Sequence, residues 1–240
     1  MTEEPYRWLE AIENRREYIQ EQLKPSSPVF AASVDEGVLL LGVGGGLSKV
    51  FEIFDRHAMV ALGHPADIER MRQGLIDAAH LESFTRAAED VSLRRLVSFG
   101  LSVQLKTSFE QIFTAPFLVE TLLAEVGATR EQDVLARVRF DGSFELENGG
   151  VMVACAHSER ERVAKQWLAQ KLASDHSLET ARKCFLAAWV GIMDPRAVLV
   201  DGFEQALTST EPCKLLEGKI VEVGLLRRSG PRSRAYQAWT

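Results

Sequence analysis

The sequence predicts an α+β protein, a four-layer αββα sandwich preceded by a helix. Three observations predict it. Short apolar strands come in blocks separated by pairs of helices, which argues against alternating βαβ units and a parallel sheet. Neighbouring strands are joined by strings such as Asp35-Glu36-Gly37 and Asp55-Arg56, too short for a crossover, so pairing is antiparallel. Runs such as Val38-Leu39-Leu40-Leu41 are apolar at every position, as strands covered on both faces are. Two antiparallel sheets stacked face to face, with a helix pair outside each, satisfy all three.

The elements follow in order. Residues 4–23 carry Leu9, Ile12, Ile19 and Leu23 at three- and four-residue steps once Arg16, which interrupts the stripe, is counted. Glu10, Glu13, Glu17 and Glu21 fall largely on the other side, so this is an amphipathic helix. Lys24-Pro25 ends it, because proline disfavours helix in the residue before it. Strands are expected at 29–34 and 38–43, then, past Gly44-Gly45-Gly46, at 49–54 and 58–62. Ile68, Met71, Leu75, Ile76 and Ala79 mark a helix from 66 to about 85. A second runs from a Ser92 cap to 113, where Ala115-Pro116 stops it. Strands return at 117–126, 134–140, 144–146 and 151–156, followed by helices at 158–173 and 178–192. The segment 194–217 is the least patterned and reads as an ordered excursion or a loop. A strand at 219–226 and a basic tail over 234–240 close the chain.

Composition limits the function classes. At 240 residues the chain is near the upper end of the single-core range. Apolar content of 46% with 26% charged residues excludes disorder over most of it. A net charge of -6 provides no basic face for phosphates, so no nucleic-acid partner is expected. Cys155, Cys184 and Cys213 are odd in number and lack Cys-x-x-Cys spacing, which suits a reducing compartment. No charged-then-apolar leader opens the chain, and no apolar run nears the ~20 residues of a membrane span. The expectation is a soluble cytoplasmic protein with no membrane partner.

Motif chemistry is sparse. Gly42-Val43-Gly44-Gly45-Gly46 follows an apolar strand, but Leu47 and Ser48 stand where nucleotide-binding patterns require glycine, and a strand follows instead of a helix. His57, His80, His157 and His176 lack paired-ligand spacing, so neither a metal nor a cofactor is expected. Asp67, Glu69 and Asp77 read as capping or solvating their helix. Arg70 and Arg72 read as surface ion pairs, Trp167 and Trp189 as core or subunit contacts, and Arg227, Arg228, Arg232 and Arg234 as a solvated basic end.

Several local strings resemble the proteasome α-type subunits, which build the outer rings of a barrel-shaped core protease. The most specific is Ser48-Lys49-Val50-Phe51-Glu52-Ile53-Phe54-Asp55-Arg56, followed by Ala61-Leu62-Gly63 and Ala66-Asp67. Asp35-Glu36-Gly37-Val38-Leu39-Leu40 and the Phe140-Asp141-Gly142-Ser143 turn support it. The resemblance covers about 5–171, with a weaker echo at 217–236. Pro5-Tyr6 followed by a helix looks like the bacterial, actinobacterial-type members; the archaeal-type Tyr-Asp-Arg signature is absent.

The resemblance implies an Ntn-hydrolase fold, with a gate segment and leading helix at 1–27 and the sandwich at 28–240, one domain overall. It implies a non-catalytic ring subunit with no catalytic residue. The nucleophile column falls on Ser27, the carboxylate column on Val43, and the lysine column on Lys49. By resemblance Lys49 lies in a pocket between neighbouring subunits and pairs there with the C-terminal carboxylate of an activator tail, with the Gly63 backbone near the same pocket. The alternatives are a solvated lysine that starts a strand and a glycine required by the strand-to-helix turn, where His64 reads as a turn histidine. Met1, Thr2, Glu3, Glu4, Pro5, Tyr6 and Arg7 would form the gate; a frayed terminus is the alternative. Implied partners are copies of this chain in a seven-membered α ring, β subunits that hold the peptidase activity, and a ring ATPase docking through its C-terminal tail. The rivals are a peptidase of the same fold using Ser27 or Thr2 after processing, a nucleotide-dependent protein using Gly44–Gly46, and an assembly-only paralogue.

Overall fold

The computed structural model describes residues 4–194, 199–208, 214–230 and 235–239. The chain opens with α1 (Glu4–Leu23), then β1 (Val29–Val34), β2 (Gly37–Gly44), β3 (Val50–Phe54) and β4 (His57–Gly63). Helix α2 (Pro65–Thr85) is followed by a near-continuous helical stretch: α3 (Leu93–Arg95), a π-helical segment (Leu96–Leu101) and α4 (Ser102–Glu110). Strands β5 (Val119–Glu125), β6 (Val134–Val138), β7 (Phe144–Asn148) and β8 (Val151–Ala154) come next. Helices α5 (Ser158–Leu172), α6 (Leu178–Met193) and α7 (Leu199–Thr208) precede β9 (Ile220–Arg227) and β10 (Tyr236–Trp239).

The strands form two five-stranded sheets, ordered β10-β9-β2-β1-β8 and β3-β4-β5-β6-β7. Every pair is antiparallel, as the short connections require. Period-two alternation then sorts side chains between layers. Val29, Ala31, Val38 and Leu40 point into the space between the sheets, where they meet Val60, Leu62, Leu122 and Leu135. Their neighbours Phe30, Ala32, Leu39, Leu41 and Val43 point outward, under Phe185, Ala188 and Trp189 of α6. On the second sheet Met59, Ala61, Val119 and Val138 face Ile68, Met71 and Leu75 of α2 together with Leu101 and Leu105. Apolar groups thus bury on both faces of each sheet, and the αββα sandwich follows.

The leading helix belongs to the inter-sheet core. Ile19 and Leu23 are fully buried there with Phe109 and Phe140. Arg16, the apparent interruption of the stripe, faces inward too: it pairs with Asp141 at 2.7 Å and lies 5.1 Å over the Phe109 ring. Arg15 donates to the Ser108 carbonyl at 3.0 Å and the Ile112 carbonyl at 3.3 Å, which would otherwise be orphaned near the end of α4. Leu9 departs from the expected stripe and stands exposed.

Other departures lie in the last quarter and at element ends. Residues 199–208 of the unpatterned segment form α7, with Phe203 fully buried against Trp167. The basic tail contains β10, paired along β9 from Tyr236–Leu226 to Trp239–Val223. The second long helix stops at Glu110 rather than 113 and includes a π turn. Arg228 is no solvated end: it donates to both carboxylate oxygens of fully buried Asp133, at 2.6 and 2.9 Å, and to the Val34 carbonyl at 3.0 Å. Arg232 and Arg234 lie outside the described residues.

Candidate functional site

Strand β2 ends on glycines for a steric reason. A Cβ at Gly42 would meet the Lys49 Cβ at 3.1 Å, and one at Gly44 would meet the Lys49 Cε at 3.3 Å. The aliphatic stem of Lys49 therefore runs along a track that side chains on β2 would block. Behind it, the Glu222 carboxylate of β9 accepts from the backbone N–H groups of Lys49 at 2.8 Å and Val50 at 3.2 Å. Burial pushes the Lys49 ammonium below the ordinary lysine value; Glu222 pulls it back up and Lys219 pushes it further down.

At the far end of β4, Gly63 adopts φ +123°, and a Cβ there would lie 2.0 Å from the Leu118 carbonyl oxygen. Only glycine fits this position. The same carbonyl accepts from the His64 N–H at 2.7 Å, and His64 Nδ1 accepts from the Ala66 N–H at 3.3 Å to cap α2. Asp67 accepts from the Leu118 N–H at 3.0 Å, so it ties the helix start to the approach to β5 instead of only capping α2.

These two strand ends meet. Lys49 and Gly63 line one cavity of about 210 Å³, with Gly45, Leu47, Ser48, Pro65 and Ile68. The cavity presents a partly desolvated cation above an apolar wall, which suits a carboxylate attached to an apolar group. The turn requirement at Gly63 and its position beside Lys49 hold together. The sequence alone assigns Leu47, Ser48, Pro65, Ile68 and Glu222 no part in this pocket. Glu222 carried a signal, being a carboxylate between Val221 and Val223 in an otherwise apolar strand.

Of the gate residues, Met1, Thr2 and Glu3 lie outside the described residues, whereas Glu4, Pro5, Tyr6 and Arg7 open α1. Ser27 follows α1 in an unbroken chain, and its hydroxyl accepts from the Trp189 indole N–H at 2.7 Å. Val43 is fully buried under α6. Gly44–Gly46 lead into strand β3 rather than into a helix. His57 is buried with Nε2 3.4 Å from Glu125, and His80 stands edge-on to Phe54. Cys155 and Cys184 are free and buried, and burial pushes the Cys155 thiol up to about 11. Arg72 pairs with Glu69 at 2.6 Å on the surface of α2. No helix among the described residues is long and apolar enough to cross a membrane.

No protein-family model matches the chain. Curated relatives do. The chain is 33% identical over 147 residues to a protein of Paenarthrobacter aurescens named proteasome subunit alpha, covering 59% of this chain and 60% of that one. It is 28% identical over 228 residues to the proteasome subunit alpha of Pseudarthrobacter chlorophenolicus, covering 93% of this chain and 87% of the relative. A third, from Renibacterium salmoninarum, is 30% identical over 164 residues, 66% of either chain. With the strand order, the leading helix and these similarities in agreement, the chain is a relative of the bacterial proteasome α-type subunits.

Proposed function

We propose that this chain is a non-catalytic α-ring subunit of a 20S proteasome core particle. Seven copies close a ring on a ring of β subunits in the cytoplasm, and peptide hydrolysis takes place on those partners. The chain controls access: its N-terminal residues 1–7 obstruct the pore, and an activator displaces them. The C-terminal tail of a ring ATPase docks with its carboxylate on Lys49 and its apolar side chains against the wall near Gly63.

The observation that carries this reading is the similarity to a named proteasome subunit alpha across 228 residues, 93% of the chain. Three features support it. A helix precedes the first strand and packs into the inter-sheet core ahead of Ser27. A valine stands in the carboxylate column. Lys49 and Gly63 share a cavity of the right chemistry.

The test is reconstitution with the β-type subunit of the same genome. Peptidase activity that needs both chains, and survives Ser27→Ala in this one, is expected. Activity of this chain alone, lost on Ser27→Ala, would replace the proposal with the peptidase reading.

A further inference from the structure

Among the described residues the helix layer stops short of the edge of the first sheet. Helices α5, α6 and α7 cover the outward-facing residues of β8, β1 and β2 and bury Val223 and Leu225 of β9, whereas Val221 and Trp239 stay partly exposed beside Leu178 and Arg182 of α6. The gap is a cavity of about 730 Å³, well within the 300–1,000 Å³ typical of binding sites. Its floor is Val221, Val223 and Trp239, its wall Leu178, and its rim the two cations Arg182 and Lys219. Register explains the floor: Trp239 pairs with Val223, so both project to this outer face.

Two independent features point to the same kind of occupant. Strand β10 is the last strand of its sheet among the described residues, so one row of its backbone N–H and C=O groups is unpaired. Among the described residues neither Arg182 nor Lys219 forms an ion pair, since nearby Glu179, whose charge Arg182 also feels, pairs with Lys183 at 2.7 Å; the chain nonetheless carries six more acidic than basic residues. An extended chain laid along β10 would satisfy the backbone row. Its alternate side chains would point over Trp239 and Val223, and acidic residues would reach the two cations.

We infer that the β10 edge and the adjoining cavity form a docking site for an extended acidic peptide segment, which adds to the first sheet as a sixth strand. Backbone pairing with β10 holds the segment, an apolar side chain fills the space against Trp239, and flanking carboxylates meet Arg182 and Lys219. The site shares no lining residue with the Lys49 cavity, although the charge of Lys219 acts on Lys49.

The test is fluorescence anisotropy with a labelled heptapeptide alternating Glu with Val and Leu, measured on the full chain and on the assembled particle. Two controls accompany it: the same peptide with Lys for Glu, and the acidic peptide N-methylated at alternate amides. Binding of the acidic peptide alone is expected on both preparations. Arg182→Glu with Lys219→Glu should weaken it at least about tenfold. Trp239→Ala should weaken it similarly, and Lys49→Ala should leave it unchanged. Equal binding of the basic peptide, or indifference to the charge reversal, overturns the inference. Full binding by the N-methylated peptide does so as well, because it excludes strand addition. Binding to the isolated chain but not to the particle also overturns it, since a second copy of this chain then covers the edge.

Discussion

The Glu222 carboxylate, 173 positions away in sequence, accepts from the backbone N–H of Lys49 at 2.8 Å. Glu222 thus fixes where β3 begins while its charge opposes the effect of burial on the Lys49 ammonium. The two substitutions should have opposite effects. Lys49→Ala removes the cation and should weaken binding of an activator-tail peptide to the assembled particle at least about tenfold, with rings intact. Glu222→Gln keeps an acceptor oxygen but removes a competing negative charge, and should tighten the same binding. Anisotropy of a labelled tail peptide measures both. Identical affinities in all three proteins would dissociate Lys49 from docking.

Gly63 tests the backbone argument. Its Cβ would collide with the Leu118 carbonyl carbon and oxygen, so Gly63→Ala should cost at least about 2 kcal/mol in urea unfolding. Gly45 lines the same cavity with nothing within 4 Å of its Cβ position, so Gly45→Ala should stay within about 0.5 kcal/mol of the parent. Equal costs would mean that the left-handed conformation at Gly63 is not required.

Much of this architecture was legible in the sequence, and the reasons are local. The block at 29–62 reads correctly because turn strings and continuous apolar runs fix both hairpins within a few residues. Helix α7 was readable in principle, since Leu199, Phe203, Ala206 and Leu207 recur at helical spacing. The polar residues around them hid it. Strand β10 was not readable: its four residues are a strand only because β9 pairs with them. Glu222 at Lys49 and Asp133 at Arg228 belong to the same class, as contacts made across 173 and 95 positions. Lys49 and Gly63 came from the resemblance to proteasome α-type subunits, whereas the cavity wall came from folding.

The Arg228–Asp133 pair should be among the most sensitive points in the fold. Asp133 is fully buried and also accepts from the Gly127 N–H at 2.8 Å and from the Ser33 hydroxyl. Arg228→Ala leaves that carboxylate without its cation and should cost about 3–5 kcal/mol. Chemical denaturation measures it. A loss under about 1 kcal/mol would mean that the hydrogen bonds from Ser33 and Gly127 suffice.

Acid should loosen the leading helix through Asp141. Burial alone would raise this carboxyl, but hydrogen bonds from the Ser143 hydroxyl, Arg16 and the Ser143 N–H outweigh it and hold it below the ordinary aspartate value. Its folded pKa is therefore lower than its unfolded one. The stabilisation is fully present above about pH 3.9, the unfolded value, and is lost as pH falls through the folded value. Asp141→Asn should lower stability at neutral pH and flatten the acid limb of the stability profile. An unchanged acid limb would assign acid sensitivity to other carboxylates.

Removal of residues 1–7 separates a gate from a frayed end. The deletion spares Ile19, Leu23 and Arg16, which anchor α1. It should raise hydrolysis of unfolded peptides by the assembled particle several-fold in the absence of an activator, with little change for short fluorogenic substrates. Unchanged rates for both substrates would remove the gating role.

The most direct test of the central claim is native mass spectrometry of this chain, alone and coexpressed with the β-type subunit of its own genome. An α-ring subunit gives closed rings whose mass shows full-length chains, with residues 1–27 retained apart from the initiator methionine, and these rings stack on β rings. A monomer indifferent to the β partner, or a homo-oligomer trimmed to begin at Ser27, would contradict it.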